Sequence, residues 1–169
     1  VDAVVLGGIP QAGYEPYTQP PGLEQLLEQR QYIVDVKEDT EPSVDFLVRM
    51  ERKRGEVFKD VLSRYPWDIA FTWFPALDRI HHNRVHFTMP DKDTKPNRDA
   101  IMNEIDKQIY DLYTTFKPDY LIIMSDHGWK TEVQYHWSNG IYSVYKPGEE
   151  VHEVRASVLD ILPTVYKLA

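Results

Sequence analysis

Five side chains able to hold a cation fall in three short stretches of the 169-residue chain. Asp78 and His82 stand four positions apart in D-R-I-H-H, Asp126 and His127 are adjacent in S-D-H-G, and His136 sits in Y-H-W-S-N-G. Imidazole nitrogen and carboxylate oxygen together suit Zn²⁺, Mn²⁺ and Fe ions without thiolates. The chain has 0 Cys, so thiolate ligation and disulfides are both excluded. Two such ions about 4 Å apart can clamp the entering and leaving oxygens of a phosphoryl transfer. Taken singly, each stretch has an ordinary explanation. D-x-x-x-H is a weak pattern, and a lone His before a strand is commonly a turn or surface residue. An adjacent Asp–His pair at a strand exit has fewer structural uses. His81, His86 and His152 carry nothing beyond residue type and are assigned to surface or packing.

The elements that must position these residues follow from periodicity. Residues 1–6 (VDAVVL) read as a strand and 7–22 as a Gly/Pro-rich loop. Residues 22–30 read as a short helix with Leu23, Leu26 and Leu27 on one face, and 32–36 (YIVDV) as a short strand. Residues 41–66 make an amphipathic helix with Phe46, Leu47, Met50, Val57, Phe58, Val61 and Leu62 on the 3.6 period, Ser43 as N-cap and Pro66 at its end. WDIAFTWF then reads as a buried strand that breaks at Pro75 and delivers Asp78 and His82. If one helical turn forms there, those two residues share a face. Residues 83–97 read as a loop, 99–116 as a second helix, DYLIIM as a buried strand, and IYSVY as another. Asp126 and His127 lie just past DYLIIM, where a loop lets neighbouring side chains converge. A helix entered near Asp160 or Pro163 ends the sequence. Helices alternating with strands that are apolar throughout predict an α/β fold, layered α/β/α around a mostly parallel sheet, with 1–169 as a single unit. In such sheets chemistry sits where strands end at their carboxyl edge.

Composition bounds the function. Hydrophobic residues are 42% and charged residues 27%, as in a soluble domain with a core. The net charge of −8 argues against a nucleic-acid-binding surface. The one basic cluster, Arg49, Arg52, Lys53 and Arg54, lies beside Asp45, Glu51 and Glu56 and reads as a solvated helix face. No run approaches the roughly 20 apolar residues of a membrane span, so no membrane partner is expected and the location expected is cytoplasmic. VDAVVLGG begins inside an apolar run rather than with Met, which raises the expectation of a fragment of a larger catalytic domain. The edge at residues 1–6 would then be open to self-association. Trp129, Tyr135 and Trp137 flank the ligand stretches, where they either line a base pocket or pack on the sheet ends.

The order and context of these stretches resemble the alkaline phosphatase superfamily, and within it the type I phosphodiesterase/nucleotide pyrophosphatase family. The resemblance rests on Asp78-x-x-x-His82, on S-D-H-G at 125–128, on His136 ahead of N-G-I, and on Asp160, Pro163 and Thr164 in DILPT. Before residue 65 it is looser, through GGIPQAGYEPY and YIVD. It implies an alkaline phosphatase-like fold and two divalent ions, Zn²⁺ foremost with Mn²⁺ or Fe as alternatives. Asp78, His82 and His136 would ligate one ion, and Asp126 and His127 the second. It further implies hydrolysis of phosphoesters or nucleotide phosphodiester and pyrophosphate bonds, on phosphate-containing small molecules. The family's nucleophilic Thr or Ser, and the Asp that completes the second site, match nothing in this sequence. The nucleophile is therefore expected upstream, in a parent protein, and this chain is expected to be inactive alone. The alternatives are a phosphoglycerate mutase-like phosphotransferase, a sulfatase or phosphonate hydrolase, and a non-catalytic metal-binding or assembly module.

Overall fold

The computed structural model describes residues 5–6, 18–19, 23–35, 43–86, 94–130, 135–150 and 155–168. Two compact units divide the chain, Val1–Leu112 and Tyr113–Ala169.

The first unit is organised by one long helix. α2 spans Val44–Leu62, with α1 at Leu23–Gln29, α3 at Ala76–His86 and α4 beginning at Lys95. Ser43 caps α2 as expected, its side chain accepting from the Phe46 N–H at 3.1 Å. At 19 residues α2 is about 28 Å long, enough to serve two separate contacts. Its C-terminal half places Val57 and Val61 against Leu23, Leu26 and Leu27 of α1. Its N-terminal half places Leu47 and Met50 against Ala76 and Ile80 of α3 and Ile101 of α4. The apolar stripe thus joins three helices to one.

Two strand expectations in this unit do not hold. Residues 66–75, the apolar WDIAFTWF segment, run without regular secondary structure into α3, with Phe71 70% exposed. Residues 32–35 are likewise irregular. A strand buried on both faces needs ladder partners, and among the described residues neither segment has one. Short strands β1 (Val5–Leu6) and β2 (Thr18–Gln19) pair antiparallel, β2 falling inside the stretch read as loop. Residues 83–86 belong to α3 rather than to a loop.

The second unit starts within the last turn of α4, which ends at Phe116. It contains β3 (Leu121–Met124), β4 (Gly128–Lys130), β5 (Tyr135–Trp137) and β6 (Tyr142–Tyr145). A 3₁₀ turn at Val158–Asp160, capped by Ser157, leads into α5 at Ile161–Leu168, so the terminal helix is entered where expected. β3 pairs with β6 and β4 with β5, both antiparallel. Mixed helix and strand content fits an α/β fold, but all three described sheets are two-stranded and antiparallel, not a parallel central sheet. Among the described residues β3 and β6 have one neighbour each, and β3 is only partly buried, not the fully buried strand that the composition of DYLIIM predicts.

The first unit also buries charge. Glu51 is 0% exposed on the core face of α2, and Arg54, one turn on, is buried beside it at 3.7 Å. This corrects the reading of the basic cluster: Arg49 and Arg52 are solvated, whereas Arg54 is interior. Arg54 donates to the Tyr32 hydroxyl at 2.8 Å and the Val34 carbonyl at 2.5 Å. Glu51 Oε1 accepts from the Ala76 N–H at 2.5 Å, at the first residue of α3. Burial pushes the Glu51 carboxyl up to about 7, against the opposing pull of the Ala76 N–H and Arg54.

That shift has a signed consequence. A carboxyl whose folded pKa exceeds its ordinary 4.5 holds its proton longer in the folded chain. Its contribution to stability is complete below about pH 4.5 and declines as pH rises toward about 7, by up to roughly 3 kcal/mol. Glu51→Gln mimics the protonated form and should remove this decline. Urea denaturation of both proteins between pH 4.5 and 7.5 should show the variant gaining steadily on the parent. A difference that stays constant with pH would mean Glu51 does not titrate in the folded chain over that range.

Candidate metal centre

Asp78 owes its position to the start of α3. Pro75 and Ala76 are buried, and the Ala76 N–H is held by Glu51, so the helix begins inside the core rather than in solvent. Asp78 follows in the first turn, half-buried, where a carboxylate is favoured by the helix dipole. Helix α3 runs through residue 82, so positions 78 and 82 lie one turn apart as the spacing predicts. The side chain of His82 lies outside the described residues. Arg79 Nη1 donates to Asp78 Oδ2 at 2.7 Å. The same guanidinium donates to Asp35 through Nε at 2.9 Å and Nη2 at 2.6 Å, a bidentate pair on a carboxylate only 5% exposed. It also lies over the ring of Trp73 at 5.5 Å.

The second unit positions the remaining donors on a hairpin and the turn that enters it. Ser125 closes the exit of β3 against the start of β6. Its N–H donates to the Ile141 carbonyl at 3.0 Å, and its Oγ accepts from the Ile141 N–H at 2.8 Å. Ser125 is thereby a structural member of S-D-H-G. The glycines on both sides serve close approach. A Cβ at Gly140 would stand 2.4 Å from the Ser125 carbonyl oxygen, and one at Gly128 2.6 Å from that of Asn139. The S-D-H-G and N-G-I stretches are thus two halves of one interlocked turn.

Register then decides which side chains meet. Trp129 stands opposite His136, and Gly128 opposite Trp137. Because strand side chains alternate, His127, Trp129 and His136 share one face of the hairpin. The rings of His127 and His136 stack at 3.8 Å between centroids and 15° between planes, and Trp129 meets His136 edge-on at 5.4 Å. His127 and His136 each offer a ring nitrogen within 4.8 Å of the other. His127 Nδ1 lies 3.0 Å from the Gly128 carbonyl. A carbonyl only accepts, which favours the tautomer with the proton on Nδ1, and Nε2 lies 3.8 Å from Asp126 Oδ1. Asp126 is 87% exposed and its Oδ1 accepts from the His127 N–H at 3.1 Å. Trp137 occupies the opposite face, under Lys130 Nζ at 3.7 Å from its ring centroid. Of the aromatic residues considered for a base pocket, Trp129 therefore shares the imidazole face and Trp137 does not. The Tyr135 side chain lies outside the described residues.

The family model described as type I phosphodiesterase / nucleotide pyrophosphatase matches residues 8–162, which include every one of these positions. The chain belongs to this family. Comparison with curated proteins and with solved structures found no match. Type I phosphodiesterase/nucleotide pyrophosphatase membership makes the chain part of a hydrolase lineage acting on phosphate-containing small molecules. It also makes sense of a thiolate-free donor set, because members are typically metal-dependent. Among the described residues no helix is long and apolar enough to cross a membrane. Asp35, Glu51, Arg54 and Arg79 escape motif reading. The available signal was two charged residues, Glu51 and Arg54, lying within the apolar stripe of α2 between Met50 and Val57.

The interlocked turn can be tested without any ligand. Gly140→Ala should destabilise the chain by about 1–3 kcal/mol, because the clashing atom is a backbone oxygen that cannot rotate away. Gly148→Ala is the contrasting control: nothing lies within 4 Å of its Cβ, and its φ of +82° alone resists the change. Denaturant midpoints of the two variants give the comparison, and a Gly140→Ala midpoint equal to the parent's would remove the interlock.

Proposed function

We propose that this chain is the metal-binding portion of a phosphodiesterase or nucleotide pyrophosphatase whose nucleophile lies outside these residues. Asp78, His82 and His136 hold one divalent ion, and Asp126 and His127 belong to a second. Zn²⁺ is the metal best matched to the donors, with Mn²⁺ or Fe next. Both units contribute to one incomplete catalytic domain of the α/β/α, mostly parallel alkaline phosphatase-like class, acting in the cytoplasm and open to self-association. The observation that carries the reading is the pair of imidazoles held 3.8 Å apart on one hairpin face, each with a ring nitrogen within 4.8 Å of the other. Two imidazoles with ring nitrogens that close, in a chain without thiolates, are a donor set suited to a borderline cation.

Each residue has a task. The hairpin presents His127 and His136 side by side, and the Gly128 carbonyl holds the His127 tautomer. Trp129 meets the His136 ring edge-on at 5.4 Å and restrains its orientation. Asp78 brings negative charge from the start of α3. Bound divalent ions supply Lewis acidity, acidifying a hydroxyl nucleophile and stabilising the charge that develops on phosphoryl oxygens. The upstream Thr or Ser would attack phosphorus and expel the leaving alkoxide or phosphate, and a water would then cleave the resulting phosphoryl–Thr/Ser ester and restore the hydroxyl, so the present chain by itself has no turnover. The stack also favours a second reading, in which His127 and His136 share one ion and the chain binds a single metal.

Metal content separates these readings. Zn²⁺ loading followed by desalting and elemental analysis should give two ions per chain for the two-site reading and one for the shared site. His136→Ala and Asp78→Asn should each lower the content. For the activity, the intact parent should hydrolyse bis(p-nitrophenyl) phosphate, lose that activity on chelation and recover it with Zn²⁺. The 169-residue chain should show none. Metal-dependent turnover by the chain alone would place the nucleophile within it, and full activity after thorough chelation would eliminate metal catalysis.

A further inference from the structure

We propose that Arg79, locked by Asp35, is a positioning residue that sets the orientation of the Asp78 carboxylate for cation binding; this rests on the assignment of Asp78 as a metal ligand above. Adjacent residues on a helix point about 100° apart, so the Asp78–Arg79 contact is not a product of helix geometry. It exists because Arg79 is drawn back. Nε and Nη2, which form one edge of the guanidinium, are both taken by Asp35, and the plane is then fixed with Nη1 directed at Asp78 Oδ2. The Trp73 ring beneath the guanidinium at 5.5 Å holds the same plane.

Asp35 is itself held in place. It follows directly on Val34, whose carbonyl accepts from Arg54 of α2, while Arg54 pairs with Glu51, and Glu51 holds the first N–H of α3. These contacts close a ring: α2 to residues 32–35, those residues to Arg79, Arg79 to α3, and α3 back to α2. Asp78 is the one member of the ring on the metal-ligand motif. A nearly buried Asp35 is costly unless paired, so its burial against Arg79 is consistent with orientation rather than surface chemistry. Outer contacts of this kind typically change metal affinity 10–100-fold when removed.

The test uses the 169-residue chain and Zn²⁺ itself, with affinity read by competition against a chromophoric chelator and folding followed by urea denaturation. Arg79→Met and Asp35→Asn should each weaken Zn²⁺ binding 10–100-fold. Arg79→Lys should not restore it, because an ammonium cannot take Asp35 bidentately and still reach Asp78. In the double variant the Asp35→Asn effect should vanish, since Asp35 acts only through Arg79. Unchanged affinity in folded Arg79→Met would overturn the proposal, as would tighter binding, which would mean that Arg79 competes with the cation. Additive losses in the double variant would also overturn it. Asp78→Asn keeps the two claims apart. If it binds Zn²⁺ like the parent, the ligand assignment fails; if it loses binding while Arg79→Met does not, only the positioning role fails.

Discussion

The first unit depends on two buried polar side chains that satisfy the backbone around them. Glu51 and Arg54 sit one turn apart on the face of α2 that is otherwise given to Leu47, Met50 and Val57. Polar groups in such places are seldom the most stabilising choice, since apolar residues of similar volume often do as well or better. Their use here follows from backbone accounting. α3 starts within the core, so the Ala76 N–H has no preceding helical turn to bond and needs an acceptor; Glu51 is that acceptor. Residues 32–35 run past α2 without a strand partner among the described residues, so their carbonyls need donors; Arg54 reaches two of them, at 3.4 Å and 2.5 Å. Replacing the pair with Leu and Met would fill the space and strand those backbone groups.

The same logic explains why the unit can place a carboxylate accurately. Apolar packing of Leu47, Met50, Ala76, Ile80 and Ile101 fixes the distance between α2, α3 and α4, but it leaves rotation and sliding inexpensive. Hydrogen bonds with defined directions remove that freedom. Glu51 sets the start of α3, and the fork between Arg79 and Asp35 sets its orientation against residues 32–35. A third polar tie, Arg52 with Glu104 at 2.8 Å and Gln108 on the same carboxylate at 2.6 Å, joins α4 to α2.

The second unit reaches precision by another route. Among its described residues none is fully buried, and Val158, Leu159, Leu162 and Tyr166 are largely exposed. It therefore cannot rely on a dry core to position the imidazoles. Ladder register does that work instead: the two strands β4 and β5 oppose Trp129 to His136, alternation brings His127 to the same face, and the diagonal spacing lets the two rings stack. The Ser125–Ile141 hydrogen bonds and the glycines at 128 and 140 keep that hairpin docked on the β3–β6 pair.

Local chemistry made much of this protein legible beforehand. Helices α1, α2 and α4 follow from the 3.6 periodicity, and the entry of α5 near Asp160, the Ser43 cap and the turn at S-D-H-G follow from residue type, because each depends on neighbours within a few positions. The family follows from motif spacing for the same reason. Strands were harder. WDIAFTWF has the composition of a buried strand, yet a strand is defined by a partner that composition does not supply, and the described segment has none. Antiparallel pairing of β3 with β6 and β4 with β5 was likewise beyond local pattern. What the sequence by itself determined is the inventory: which residues can bind a cation, and which helices present apolar faces. What only the tertiary structure decided is how polar groups distant in the chain are paired, Glu51 with Ala76, Arg79 with Asp35, His127 with His136, because each pairing is set by three-dimensional approach and leaves no periodic trace.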